Sequence, residues 1–441
     1  MLRALLRSLS ARPAGAVAPE RPAAQPAAPA DGPYAAAAEA RQRGDAAAAE
    51  AIFRAHLAQY PADTDALATF GGALLGEERF DEAAAVLLPA LQRFPAVAPL
   101  LFNAGSLAQA RMQTDEAIRL FRLALAVQPD LAMARFTLSI QLLLKGEYRE
   151  GLMLLRARNE LADPPASGWP RQLPRWEGQS LRGKRLLVWL DWGGLGDELQ
   201  FARYLPLLAR DHQPGALIFV CSEAGRRLYA AIPGVDQALS NPAGIQADYQ
   251  AALLDLPILC ATTLDHMPAA APYLAPPAAD TARWAQRLAE VRGRRIGLCW
   301  GSGFWGKATA GDKAIPLELL APLASLPQTT FISLQKGPAR AQLPCPGLAV
   351  LDFDAHLHDL ADTAALIQNL DVVVSVDTSV AHLAGALGKP VILMLQWESG
   401  NFWLLDREDS PWYPSMRIAR QASRRDWPSV VCRVLELLAS P

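Results

Sequence analysis

Residues 372–395 read VVVSVDTSVAHLAGALGKPVILML, and their order of residue types decides the fold. Val372 to Val376 is too apolar for a half-exposed strand and fits one buried on both faces, as in a parallel sheet. Asp377, Thr378 and Ser379 are good helix-capping types, so a helix is expected to start there. Along it, Val380, Leu383, Ala384 and Leu387 form a buried stripe, and Thr378, Ser379, His382 and Ala386 fall on another face. Gly388 stops the helix, Pro390 follows, and the next strand begins at Val391. A helix that starts at a strand's carboxyl end offers free amides and a partial positive charge, which suits a diphosphate. An ordinary capped turn uses the same residue types. His382 likewise fits either a ligand contact or a satisfied structural histidine.

Working outward, apolar strand-like runs alternate with helical patterns from Lys184 onward: RLLVWL, ALIFVC, RIGLCW, TTFISL, VVVSV and PVILML. This alternation predicts an α/β architecture with parallel sheets. The strand signal weakens between Cys221 and Arg294, and APYLAPPAAD (271–280) breaks it before a fresh strand at Arg295. Two Rossmann-like lobes are expected, residues 184–279 and 280–441, with a cleft between them. In open α/β sheets ligands sit outside the carboxyl ends of the strands.

Two further strand ends therefore matter. In RLLVWLDWGGLGDELQFARYLPLLA the strand ends near Leu190 and Gly193, Gly194 and Gly196 form a loop that a ligand can approach closely. A helix is expected near Asp197, with Phe201, Leu205 and Leu208 on its buried side. Leu199 stands where a dinucleotide fingerprint needs its third glycine. Asp197 reads either as a first-turn cap acid or as a general base for a hydroxyl. In RIGLCWGSGFWGKATAGDKAIPLELL, Ala308 replaces the Ser or Thr of a phosphate-binding P-loop, and Gly311 and Pro316 delay the helix to about Pro316. A glycine-rich strand-end loop remains, carrying Ser302, Gly303, Lys307 and Lys313. Its ammonium groups suit phosphate oxygens or stay solvated.

The N-terminal part has another period. Pro61, Pro95 and Pro129 are each 34 residues apart, and Phe80, Thr114 and Tyr148 keep the same step. Segments such as DEAAAVLLPALQRFP show helical spacing. This period resembles the tetratricopeptide repeat, a stacking pair of helices. Three to four repeats are expected over 34–162. Such arrays present a concave face to a protein partner, or serve only as scaffold. Residues 1–33, rich in Ala and Pro, are expected to be disordered, and 163–183 reads as a linker.

The bulk composition narrows the function class. The chain has 441 residues, a net charge of −2, and no apolar run long enough to span a membrane. No basic field points to nucleic acid. The five cysteines form no CxxC pair, which fits a reducing, cytoplasmic setting without a disulfide framework. Arg7 interrupts the first leucine run, so no signal peptide is expected. Asp352-Phe353-Asp354 and the pair His356 and His358 read as solvated loop residues rather than metal ligands. Trp300, Trp305, Trp397, Trp403 and Trp412 fall at strand ends and loops, where they suit stacking on a sugar or base as well as core packing. Arg407, Glu408 and Asp409 read as a surface or interdomain ion pair.

GLGDELQFARYLPLL, SLQKG (333–337), DTAALIQNLDVVVSVDTSVAHLAGALGKPV and WLLDREDSPWYPSMR together resemble the heptosyltransferase family of GT-B-fold glycosyltransferases (family 9). They look like bacterial proteins in which tetratricopeptide repeats precede such a transferase. The resemblance implies transfer of a sugar from a nucleotide diphosphate sugar, with no required metal or other cofactor. It implies an acceptor-side first lobe and a donor-side second lobe, with the final helix crossing back to the first. It places the catalytic base at Asp197 and acceptor contacts at Gly194, Gly196 and Gln200. Donor contacts fall at Ser302, Gly303, Lys307, Lys313, Gln335, Asp377, Thr378, Ser379 and His382. The competing expectation is a non-catalytic repeat scaffold whose lobes only bind a nucleotide sugar or a partner.

Overall fold

The computed structural model describes residues 33–161, 172–268, 271–302, 313–398, 400 and 402–439. Residues 1–32 of the expected leader and 163–171 of the linker, together with Gly303, Trp305 and Lys307, lie outside the described residues. Two compact units divide between Gln141 and Leu142.

The first unit is built of antiparallel helices: α1 Tyr34–Gln42, α2 Ala46–Gln59, α3 Thr64–Gly76, α4 Phe80–Arg93, α5 Ala98–Ala110 and α6 Thr114–Val127, followed by α7 Ala132–Lys145, which runs across the division. Asp45 and Asp63 cap α2 and α3 by accepting from backbone amides of the first turn. The repeat is legible in packing. A Cβ on Gly71 would lie 2.4 Å from Leu87, and one on Gly105 would lie 2.7 Å from Phe121. Both partners shift by one period, so the α3–α4 and α5–α6 pairs each close through a glycine set against a large apolar residue.

The second unit opens with α8, Tyr148–Leu155, and a 3₁₀ turn, Arg156–Glu160. The first lobe then follows: β1 Arg185–Trp189, α9 Leu195–Phe201, α10 Tyr204–His212, β2 Ala216–Val220, α11 Arg226–Tyr229, β3 Gln237–Leu239, β4 Tyr249–Ala252 and α12 Leu256–Leu259. Its parallel sheet has the order β3-β2-β1-β4. After α13, Ala278–Arg287, the second lobe contains β5 Arg294–Cys299, a 3₁₀ stretch Leu317–Ser325, β6 Thr329–Ser333, β7 Val350–Leu351, α14 Leu360–Gln368, β8 Val372–Val376, α15 Ser379–Ala386, β9 Val391–Leu395, β10 Met416–Arg420 and α16 Trp427–Ala439. Its six strands are parallel in the order β10-β9-β8-β5-β6-β7. Every residue of β8 and β9 is buried, as the opening stretch required.

Both sheets reverse their winding direction once, between β1 and β4 in the first and between β5 and β8 in the second. Such switch points leave a crevice at the carboxyl ends of the flanking strands. The loops after β1, β5 and β8 are the ones that carry the glycines, lysines and the Asp-Thr-Ser turn.

One expectation is corrected. The final helix does not cross back: α16 packs on β9, β10 and the 317–325 turn, joining Trp427, Val430, Val431 and Val434 to the second lobe's core. The segment around Phe402 and Trp412 crosses instead, with both rings stacked edge-on against Phe201 of α9. The apolar stripe of α16 is spent on its own lobe's core, which leaves the lobe contact to the aromatic pair. Arg227 of α11 adds ion pairs to Asp280, Asp359 and Asp362 of the second lobe. Among the described residues no helix is long and apolar enough to cross a membrane.

Candidate active site

The first half of the site grows from β1. Gly194 caps α9 and has no side chain to hold the first-turn amides. Asp197, third in the helix, folds back and accepts from the Gly194 amide at 2.8 Å. The helix therefore begins two residues before Asp197. Gly193 has φ +104°, and a Cβ there would lie 2.5 Å from the Asp197 carboxylate, so only glycine fits. Burial raises the Asp197 pKa, and the nearby Asp377 charge adds to the rise; the Gly194 amide and Lys313 offset it only in part. The carboxylate is the first-turn cap that the sequence offered, and it carries a raised proton affinity.

The second half grows from β8. Thr378 caps α15, and its hydroxyl accepts from the Val380 amide at 3.2 Å. Asp377, buried just ahead of the cap, receives the Lys313 ammonium at 2.7 Å. Burial alone would raise the Asp377 pKa, but Lys313 and the neighbouring His382 outweigh it and hold the carboxylate below its usual range. Lys313 is shifted upward: burial works against its charge, and Asp377 and Asp197 more than compensate. The ammonium thus lies in the field of both carboxylates.

His382 joins the two halves. Its Nδ1 lies 2.9 Å from the Tyr413 hydroxyl, its Nε2 3.8 Å from Asp377 Oδ1, and its ring centroid 5.1 Å from that of Trp403. Burial pushes its pKa down to about 4, so the ring is neutral near pH 7. A Cβ on Gly196 would lie 2.9 Å from His382 Cδ2. The helix N-termini of opposite lobes, α9 and α15, therefore touch through a glycine against an imidazole.

Gly194, Gly196, Asp197, Lys313, Asp377, Thr378 and His382 are thus brought together. Ser379 is the first residue of α15 and half-buried, and Ser302 lies half-buried just past Gly301 at the end of β5. Two expected contacts are corrected. Gln335 is buried, and its amide is spent on backbone: Oε1 accepts from Trp300 and Gly301, and Nε2 donates to Gly301 and Lys336 carbonyls. It braces the loop after β5 and has no group left for a donor. Gln200 is 2% exposed inside α9, so its side chain has almost no surface to offer an acceptor.

The stacking alternative for three tryptophans also fails. Trp300, Trp403 and Trp412 are buried; Trp300 donates to the Ala339 carbonyl and Trp412 to the Tyr148 hydroxyl. Asp352 and Asp354 are paired with Arg340 and Lys336, and Arg407 pairs with Asp409. Among the described residues no three His, Cys, Asp or Glu side chains converge as for a metal. Tyr413 and the buried cation Arg203 were not singled out from sequence. Arg203 stacks on the rings of Tyr273, Trp412 and Tyr413 and donates to the Trp412 carbonyl at 2.7 Å. An arginine inside an otherwise apolar helix pattern, FARYLPLL, was the available signal.

The family match falls within this region. Residues 357–424 match glycosyltransferase family 9 (heptosyltransferase). The matched stretch contains β8, α15, β9 and β10, hence Asp377, Thr378, His382 and Tyr413. Protein FlbA of Caulobacter vibrioides is 29% identical over 341 residues, covering 70% of this chain and 55% of FlbA. The chain thus spans about half the length of that curated relative. A glycosyl transferase family 9 structure from Veillonella parvula DSM 2008 shows 12% identity and a TM-score of 0.46, covering 60% of this chain and 100% of that one. MamA from Desulfovibrio magneticus RS-1 shows 18% identity and a TM-score of 0.26, covering 30% and 76%.

Proposed function

We propose that this chain is a glycosyltransferase moving a sugar from a nucleotide diphosphate sugar to an acceptor hydroxyl. The observation that carries the reading is the Lys313 ammonium, bonded to Asp377 and within the field of Asp197, where the helix N-termini of two lobes meet. Asp197, with raised proton affinity, takes the proton of the acceptor hydroxyl. The acceptor oxygen bonds to the anomeric carbon as the bond from that carbon to the diphosphate oxygen breaks. The electron pair leaves with the nucleoside diphosphate, and Lys313 with the N-terminus of α15 stabilises the charge that develops. A cation already held by the chain fills the role that a metal takes elsewhere, so no resident metal is invoked. Neutral His382 adds no charge of its own and fixes the wall between the lobes. The helical repeats offer a surface for a protein acceptor or partner.

The test is a thermal-shift screen of ADP-, GDP-, UDP- and dTDP-linked sugars, followed by assay of nucleoside diphosphate release. A bound donor at ~100 times its dissociation constant adds about 2.7 kcal/mol of stability. The reading expects one donor to stabilise the chain and turnover to fall by ~10²–10⁴ in Asp197→Asn while donor binding persists. Donor binding without turnover in the wild-type chain would instead identify a sugar-nucleotide-binding scaffold.

A further inference from the structure

Arg158 is 1% exposed and lies in the 3₁₀ turn that follows α8. Its guanidinium donates to Asp191 at 2.9 Å, to Asp255 at 2.7 Å and to the Leu155 carbonyl at 3.1 Å. Asp191 follows β1 and Asp255 follows β4, so the guanidinium bridges the loops after the two strands that flank the first sheet's switch point. Among the described residues, Asp191 Oδ1 has no hydrogen-bond partner, which leaves Arg158 as its main compensation. Asp191 opens the loop that runs through Gly193 and Gly194 to Asp197. Ten residues before Arg158, on α8, the Tyr148 hydroxyl accepts from the Trp412 indole at 2.9 Å. Trp412 precedes Tyr413, which holds His382.

We infer that Arg158 and Tyr148 are positioning residues for the two halves of the site. Residues 148–160 grip the Asp197 loop through Asp191 and the His382 wall through Trp412. By sequence period Tyr148 belongs to the helical repeat, yet its contacts serve the transferase lobes. The last repeat is thus part of the site's frame, and the working transferase begins near Leu142 rather than at Lys184. The role assigned to the loop and to His382 rests on the proposed function; the physical coupling does not.

Hydrogen–deuterium exchange on the full-length chain tests the coupling. Arg158→Lys loses the two-pronged fork but keeps a cation; Tyr148→Phe loses only the hydroxyl. Arg158→Lys should speed exchange across 191–197 by about tenfold or more, and Tyr148→Phe should do so across 410–414, with β8 and β9 unchanged in both. With the donor found in the screen, each variant should lose turnover more than donor affinity. A third variant, Arg158→Met with Asp191→Asn and Asp255→Asn, removes the buried charges together and should restore thermal stability without restoring turnover. Unchanged exchange in both loops, or full turnover in the neutral triple variant, overturns the inference. If no donor is turned over, the proposed function fails, while the exchange result still decides the coupling.

Discussion

Each lobe sets an aspartate at the carboxyl end of a strand that flanks its switch point, Asp197 after β1 and Asp377 after β8, and the two surroundings act on them in opposite ways. In the first lobe, Asp197 sits inside the first turn and bends back onto its own cap amide, and burial raises its proton affinity. In the second, Asp377 sits one residue before the cap and points to Lys313, which keeps it ionised despite burial. A four-residue difference in placement relative to the cap, three after Gly194 against one before Thr378, separates an acid of raised proton affinity from an anchor for a cation. The first acid is left to exchange a proton, and the second to hold a cation in place.

The largest expected effect is on Asp197. Asp197→Asn keeps the shape and most of the cap bond but loses the base, and should lower turnover by ~10²–10⁴, about 3–5 kcal/mol in the barrier. The same substitution at Asp377 should spare some turnover at saturating donor. A larger loss of turnover from Asp377→Asn than from Asp197→Asn would reverse the assignment.

The pH dependence of stability sharpens the contrast. Burial holds the folded His382 pKa at about 4 against an ordinary 6.5. Above pH 6.5 neither state holds the proton; below it the unfolded chain gains one that the folded chain refuses. Stability should therefore fall by up to about 3 kcal/mol between pH 6.5 and 4, and His382→Gln should remove that loss. The aspartates pull in opposite directions. Asp197, with a raised folded pKa, contributes most at low pH and loses that contribution as pH rises through its folded value. Asp377, with a lowered one, contributes above the ordinary carboxylate range and loses it as pH falls. Urea unfolding followed by tryptophan fluorescence at a series of pH values should give Asp197→Asn and Asp377→Asn difference curves of opposite slope. Slopes of the same sign would mean that the environments of the two acids have been misassigned.

At neutral pH, Asp377→Asn should cost about 1–2 kcal/mol, because Lys313 is one-third exposed and water takes over part of the lost partner. The smallest effect belongs to the surface acids. Asp352→Ala with Asp354→Ala should change stability by less than about 0.5 kcal/mol per site and leave turnover unaltered, with or without a chelator. A chelator-sensitive turnover lost in that double variant would point to metal chemistry at those acids.

The elements of this site were legible because their signals are local. VVVSV followed by DTS forces a buried strand and a capped helix, and GGLGD forces a close-approach loop. The 34-residue period is equally local, repeated by packing at Gly71 and Gly105. What sequence did not reveal was side-chain commitment over long separations. Gln335 looked available but spends its amide on the loop after β5, 34 residues earlier in the chain. Lys313 and Asp377 each suited phosphate, and nothing in their own segments showed that they pair across 64 residues. Arg158 reaches Asp255 across 97 residues and gave no signal at all. The path of α16 was misread because an amphipathic helix reports that it has a partner, not which sheet provides it.

The central claim is that Lys313, anchored by Asp377, is the cation that meets the diphosphate. Calorimetric titration of ADP, GDP, UDP and dTDP into the wild-type chain, Asp197→Asn and Lys313→Ala tests it directly. One nucleotide should bind the first two with similar affinity and bind Lys313→Ala ~10–100-fold more weakly, the loss of one charge-assisted contact. Equal binding by Lys313→Ala, or weakened binding confined to Asp197→Asn, would contradict the account.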